Sequence, residues 1–226
     1  MSLRIAVRLM AWGSLLLLAS CRETVELPPT FSGPEFFTYD SGQLRIYEVD
    51  SFIHSSQADS VQYRKILLRE FAESWIPNND GSRSLRMERS VSYDTGKTWR
   101  MNRVFSVQNR STHAEWWEEN VRTIVLSYPI REKRIWNGNA LNSFEPMNYS
   151  YGAIRSGYNN GWLSAERAVR VNRQADSNFL YRISEYEWYG KDLGLMYRQY
   201  VSLIKQPGNL TADGVEVYIR LKAFYP

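Results

Sequence analysis

Two groups of glutamates in this chain are clustered around aromatic residues. Glu115, Glu118 and Glu119 surround Trp116-Trp117, and Glu185 and Glu187 flank Tyr186. Paired carboxylates next to aromatic rings are what glycoside hydrolysis uses: one carboxyl protonates the leaving oxygen while the other serves as base or nucleophile. Exposed loops and edge strands offer the same composition, so glycan hydrolysis stays an alternative. The other chemistries find less support. His54 and His113 are far apart in the sequence, and no HExxH, CxxC, GxSxG or glycine-rich phosphate loop occurs. Asn78-Asn79-Asp80-Gly81 begins like a calcium loop, but the EF-hand ligand series does not follow it, and a turn is expected there. We therefore expect no catalytic residue, no metal ligand and no cofactor.

The tryptophans are more suggestive. Trp116, Trp117, Trp136 and Trp162 are candidate ligand contacts, as platforms for sugar rings or walls for an acyl chain. Core filling is the competing use of such residues, because aromatics are enriched in strands and dominate β cores. Neighbours in a strand face opposite ways, so Trp116 and Trp117 are both buried only if two layers enclose the strand.

Ser92-Tyr93-Asp94-Thr95-Gly96-Lys97-Thr98-Trp99 reads S-x-D-x-G-x-T-W and resembles the Asp-box of sialidases and related propellers. A sialidase carries several copies on a six-bladed propeller, and this chain has one copy and too few residues for six blades. The residues suit a structural hairpin instead. Asp94 can accept hydrogen bonds from its own turn, and Gly96 can take φ > 0. Ser92 and Thr98 complete the pattern, and Trp99 is expected to re-enter the core and pack over the turn.

The first residues give an address. Arg4 and Arg8 precede an apolar run from Leu9 to Ala19 with no acid present, the layout of an export signal. The run is shorter than the ~20 residues of a membrane-spanning helix. It ends Leu18-Ala19-Ser20-Cys21, which resembles a bacterial lipobox, and Cys21 is the chain's only cysteine. A lone thiol in an exported chain has no disulfide partner. Lipidation of Cys21 explains it, and several acyl chains together hold a protein firmly on a bilayer. The expected organisation is a signal peptide over 1–20, a lipid-anchored, proline-rich tether over 21–37, and one domain over 38–226. The signal holds two of the 28 basic residues and none of the 24 acidic ones, so the remainder has 26 basic against 24 acidic. That balance, with no basic run, excludes a nucleic-acid stripe.

Beyond the tether the dominant signal is strand. Val215 to Lys222 alternates strictly, which predicts a buried row of Val215, Val217, Ile219 and Leu221, with Glu216, Arg220 and Lys222 in solvent. This strand should pair with Leu195 to Ile204. Ser164 to Val171, Arg122 to Tyr128 and Leu44 to Ile53 also read as strands, while Tyr63 to Trp75 fits a strand or, in part, a helix. Turn signals such as Asn79-Asp80-Gly81, Asn159-Asn160-Gly161 and Asp213-Gly214 separate them. The fold class is all-β with at most minor helix: an antiparallel sheet, open barrel or sandwich.

Three segments resemble a family of Bacteroidota envelope lipoproteins without an assigned reaction. Gly42 to Ser51 is similar to its G-x-x-W-x-Y-x-V-D-S strand, with Arg45 in place of the tryptophan. Tyr128-Pro129-Ile130 followed by Trp136-Asn137-Gly138-Asn139 resembles its Y/F-P-L … W-x-G-N segment. Tyr189 to Arg198 resembles a third, with Lys191-Asp192 replacing a glycine-centred turn and with Gly190 and Gly194 shaping the connection. The resemblance implies a β-rich envelope lipoprotein and brings no catalytic residues; the chain is expected to be non-enzymatic and to sit on the outer membrane. Its expected partners are the membrane, through the anchor, and an apolar or glycan ligand or an envelope protein.

Overall fold

The computed structural model describes residues 31–205, 208 and 212–226. Cys21, the signal and most of the tether lie outside the described residues. Twelve strands follow one another: β1 (Leu44–Ser55), β2 (Ser60–Pro77), β3 (Arg83–Ser92), β4 (Arg100–Asn109), β5 (His113–Glu118), β6 (Val121–Ser127), β7 (Ile135–Asn137), β8 (Asn148–Asn159), β9 (Ser164–Ser177), β10 (Tyr181–Gly190), β11 (Gly194–Ile204) and β12 (Asp213–Tyr225). The segment Tyr63 to Trp75 lies within β2, hydrogen-bonded to β1 on one side and β3 on the other. Its helical period is overridden by this two-sided pairing. Among the described residues no helix is long and apolar enough to cross a membrane.

All twelve strands form one antiparallel sheet in the order β6-β5-β4-β3-β2-β1-β12-β11-β10-β9-β8-β7. Every neighbour is sequential except β1 and β12, which pair from Leu44↔Tyr225 to His54↔Gly214. The carboxyl-terminal strand is thus central, held by β1 and by β11 (Tyr197↔Arg220 to Ile204↔Asp213). The sheet curls until its two edges, β6 and β7, almost meet, and so forms a nearly closed barrel. Backbone and side-chain hydrogen bonds stitch this seam. The Ile124 N–H donates to Gly138 O (2.9 Å), and the Trp136 indole N–H to Ile124 O (2.9 Å). The buried Tyr151 hydroxyl accepts from Ser127 N–H (2.9 Å) and donates to Ser127 O (2.8 Å). Such partners satisfy edge groups that a continuous ladder would otherwise pair.

Connections in a meander fall alternately at the two ends of the barrel. Phe31, the first described residue, bridges Ile130 in the β6–β7 connection, and Glu35 O accepts from Asp192 in the β10–β11 connection. The chain therefore enters at that end. A short 3₁₀ turn, Pro34–Phe36, drops Phe36 and Phe37 into the barrel, where both are fully buried and Phe37 packs on Tyr39 and Tyr189. Residues 31–37, assigned to the tether from sequence, plug this end of the barrel. Arg45, fully buried, lies over the rings of Tyr39 (4.0 Å) and Phe224 (4.7 Å) and donates to Thr38 O (2.5 Å) and Leu193 O (3.3 Å). Asn160 adds a clamp here, donating to Met196 O (2.9 Å) and Leu221 O (2.8 Å), where the β11–β12 ladder ends.

At the other end the strands are unequal. β3 pairs β2 only from Leu67 onward, so Ser60 to Ile66 has no neighbour on that side. The outer halves of β1, β2, β10, β11 and β12 project past the rim with no sheet opposite. This has a direct effect on the row predicted from Val215 to Leu221. Leu221 is fully buried inside the barrel, but Val215, Val217 and Ile219 are only half-buried, because the facing wall stops short. The outward row is not freely solvated either. Arg220 pairs with Asp50, Tyr63 donates to Asp50 (2.6 Å), and Glu216 pairs with His54 (2.9 Å).

Candidate functional site

The barrel interior holds charge. Alternation along each strand turns one parity inward, and several inward positions carry glutamate or arginine. On β2 and β3, Glu70 and Arg89 are register partners. Arg89 donates from Nε (2.9 Å) and from a terminal nitrogen (2.8 Å) to the same Glu70 oxygen, Oε1. Glu70 Oε2 is buried with no hydrogen-bond partner. Arg89 also reaches Glu118 of β5 (3.1 Å), which Arg103 of β4 contacts as well (3.1 Å).

A second cluster is built on β9 to β11. Arg173 bonds Glu187 (2.8 Å) and the Tyr149 hydroxyl (2.7 Å), and lies 3.3 Å from Glu185. Arg198 bonds Glu185 (2.5 Å), and the Tyr189 hydroxyl donates to Glu187 (2.8 Å). β3 and β9 are six places apart in a twelve-strand order, so the two clusters face each other across the barrel. Between them is a chamber of about 340 Å³, lined by both clusters together with Tyr47, Leu68, Trp116, Val125, Leu195 and Ile219.

The electrostatics of the chamber are set by this pairing. Burial pushes the Glu187 carboxyl up, but the charges of Arg173 and Arg198 and the bonds from Tyr189 and Arg173 outweigh it and hold it below the usual range. Glu118 behaves likewise: burial opposes ionisation, and the Arg89 charge, the Trp116 indole and Arg103 overcome it. Burial acts against the charge of Arg89 too, and Glu70 and Glu118 more than restore it. Burial raises the Tyr47 and Tyr189 phenols well above their ordinary value, and that of Tyr39 to about 12. A glycosidase acid requires a carboxyl whose pKa is raised. Glu118 and Glu187 are shifted the other way, so neither is poised as such an acid.

The four candidate tryptophans are not brought together. Trp116 alone lines the chamber, and its ring is stacked on Phe105 (4.4 Å, 16°), which takes one of its faces. Trp117 points outward, 42% exposed, with Arg122 over its ring. Trp136 is a buried seam residue between Tyr149 and Tyr151. Trp162 is 48% exposed in the β8–β9 turn, with the Lys222 ammonium 4.6 Å from its ring centre. The four candidates are thus one chamber wall, one seam staple and two surface rings. The glutamates divide in the same way. Glu185, Glu187 and Glu118 face inward, whereas Glu115 lies under the outer face between Arg110 (2.7 Å), His113 (2.7 Å) and Arg122.

The Asp-box forms the β3–β4 hairpin. Asp94 Oδ1 accepts from the Ser92 hydroxyl (2.7 Å) and Thr98 N–H (2.9 Å), and Oδ2 from the Thr98 hydroxyl (2.6 Å). Gly96, at φ 97°, donates its N–H to Ser92 Oγ (2.8 Å). Trp99 does pack toward Gly96, but on the outer face under the Arg69 guanidinium (4.8 Å), so its expected return to the core is corrected. Asp80 is engaged by Ser82 and Arg110 (3.0 Å), and among the described residues no cluster of His, Cys, Asp and Glu could hold a metal ion.

No family model matches the chain, and no curated protein matches it. Two solved structures are similar to it. One is described as an exported protein of Bacteroides fragilis with a YmcC-like fold: TM-score 0.40, 9% identity, covering 88% of this chain and 100% of that one. The other is described as a lipoprotein of Parabacteroides distasonis: TM-score 0.37, 9% identity, covering 87% and 99%.

Proposed function

We propose that this chain is a lipid-anchored, non-enzymatic binding protein of the cell envelope that holds a small ligand in its barrel chamber. The chamber carries this reading: about 340 Å³ of space between two facing Arg–Glu clusters, in a barrel plugged by Phe36 and Phe37 at the end where the chain enters. A sheet built only for stability has no use for such a gap, since interiors close to native packing density. Buried ion pairs are also weak contributors to stability compared with apolar residues of similar volume. The anchor rests on Leu18-Ala19-Ser20-Cys21 and places the protein at a membrane, the outer one being the expected site. Hydrolysis of glycans is disfavoured by the downward shifts of Glu118 and Glu187.

Native mass spectrometry of the protein released gently from its own envelope tests the reading. A co-purifying small mass should be present in the parent. It should be lost in Thr123→Trp, which fills the chamber from β6. A ligand retained at full occupancy by that variant overturns the assignment to the chamber.

A further inference from the structure

The chamber continues into a feature that it does not by itself explain. The half-buried row of β12 is one line in an inward face that runs past the rim. Register fixes the rows: Ile66, Val49, Ile219 and Arg198 lie side by side at the chamber, then Arg64, Ser51, Val217 and Tyr200, then Gln62, Ile53, Val215 and Ser202. The face is apolar along its centre, and Ile53 is 37% exposed although it points inward. From Ile219 to Val215 this strip covers about 14 Å at the antiparallel rise per residue, the reach of a mid-length acyl chain. It forms a half-pipe, walled on one side and leading out of the chamber at the end away from the plug.

We infer that the chamber and the half-pipe together bind a single-chain zwitterionic amphiphile, its head between the two ion clusters and its chain along Ile219, Val217 and Val215. This rests on the chamber reading and adds the ligand's class. The head is specified by charge. Four arginines (Arg89, Arg103, Arg173, Arg198) and four glutamates (Glu70, Glu118, Glu119, Glu187) line the chamber, so a head of net charge has no complement there. The two facing walls line the chamber with carboxylates and guanidiniums, Glu70 and Glu118 beside Arg89 and Arg103 on one side and Glu187 beside Arg173 and Arg198 on the other. A primary ammonium and a phosphate on one head match both kinds of group. The chain is specified by continuity, because the apolar row begins at the chamber wall with Ile219 and is too narrow and too interrupted by Arg64, Gln62 and Ser202 to suit a broad protein face.

Titration of the lipidated full-length protein with lysophosphatidylethanolamines of increasing chain length, below their micelle concentrations, tests this, with glycerophosphoethanolamine as the chainless probe. Affinity should rise about fourfold for every two methylenes, half of the full burial value since one side of the chain meets solvent. Val217→Arg should abolish that dependence, and Val217→Thr, which keeps the shape and the fold, should weaken it. Gln199→Arg on the outer face should leave it intact. Chainless probe binding that falls in Glu70→Gln, together with no gain from added chain, overturns the half-pipe and leaves the chamber reading standing. Binding of both probes unaffected by Glu70→Gln removes the chamber reading as well. Chain-length dependence unchanged in both Val217 variants also overturns the inference.

Discussion

Leu221 and Val215 point to the same face of the same strand, three rows apart, yet Leu221 is fully buried and Val215 only half so. The difference is made by the other side of the barrel. Leu221 belongs to the interior cluster with Tyr47 and Met196, whereas Val215 lies on the part of β12 that projects past β3 to β6. Truncation should read this difference. Leu221→Ala should cost about 2–5 kcal/mol and Val215→Ala about 1 kcal/mol or less, measured by urea unfolding. Equal losses would mean that a wall covers the half-pipe in solution.

Strand periodicity predicted which face of β12 points inward but not how deeply it is buried. Period is a local property, while burial depends on the length of strands far away in sequence. The same limit explains the chamber. Its charges carry a signal in the sequence, since each interrupts an apolar parity: Leu68, Glu70, Ala72 on β2; Leu85, Met87, Arg89, Val91 on β3; Val169, Val171, Arg173 on β9. A charge in such a position reads first as a strand end or a register error. Only pairing across strands distant in sequence, Glu70 with Arg89 or Glu187 with Arg173, makes it an interior group. The Asp-box was legible because its bonds are all local, from Ser92 to Thr98. Trp99 was misplaced because the outer face of the hairpin has its own cover, Leu67 and Arg69 from β2.

Asp94→Ala should remove three hydrogen bonds to one turn and lower the melting temperature by a few degrees. Ligand binding in the chamber should survive wherever the protein stays folded, because the hairpin tip lines no part of it. Abolished binding with an unchanged melt would make Asp94 a site residue.

Gly190 ends β10 where a side chain has no room. A Cβ there would lie 2.9 Å from the Ala165 Cβ and closer still to the Met196 sulfur. Gly190→Ala should therefore destabilise by about 1–3 kcal/mol through overpacking, seen in equilibrium unfolding. The double variant Gly190→Ala with Met196→Ala should lose less than the sum of the two single losses. Strict additivity would mean that Ala165, not the methionine, is the obstacle.

Cys21→Ser tests the anchor. The variant should leave the membrane fraction on cell fractionation, since the acyl chains on Cys21 are its expected hold. Retention as firm as the parent's would refute lipidation at this residue.

Glu187 gives a pH dependence whose sign is fixed by its surroundings. Its folded pKa is depressed below the ordinary 4.5, with burial opposing and Arg173 and Arg198 prevailing. A depressed carboxyl contributes stability that is fully present above the unfolded pKa and is lost as pH falls through the folded one. Stability should hold from neutrality down to about pH 4.5 and decline below it. Glu118 adds a slope of the same sign. Glu187→Gln should cost about 3–5 kcal/mol at neutral pH, because Arg173 and Arg198 are left to share the carboxylate of Glu185. Its melting temperature should also fall less steeply between pH 4.5 and pH 2 than the parent's, since one of the linked protons is gone. Parallel curves for the two proteins would mean that Glu187 has the same pKa folded and unfolded. The Arg173–Glu187 pair would then not hold the charge that the chamber is built around.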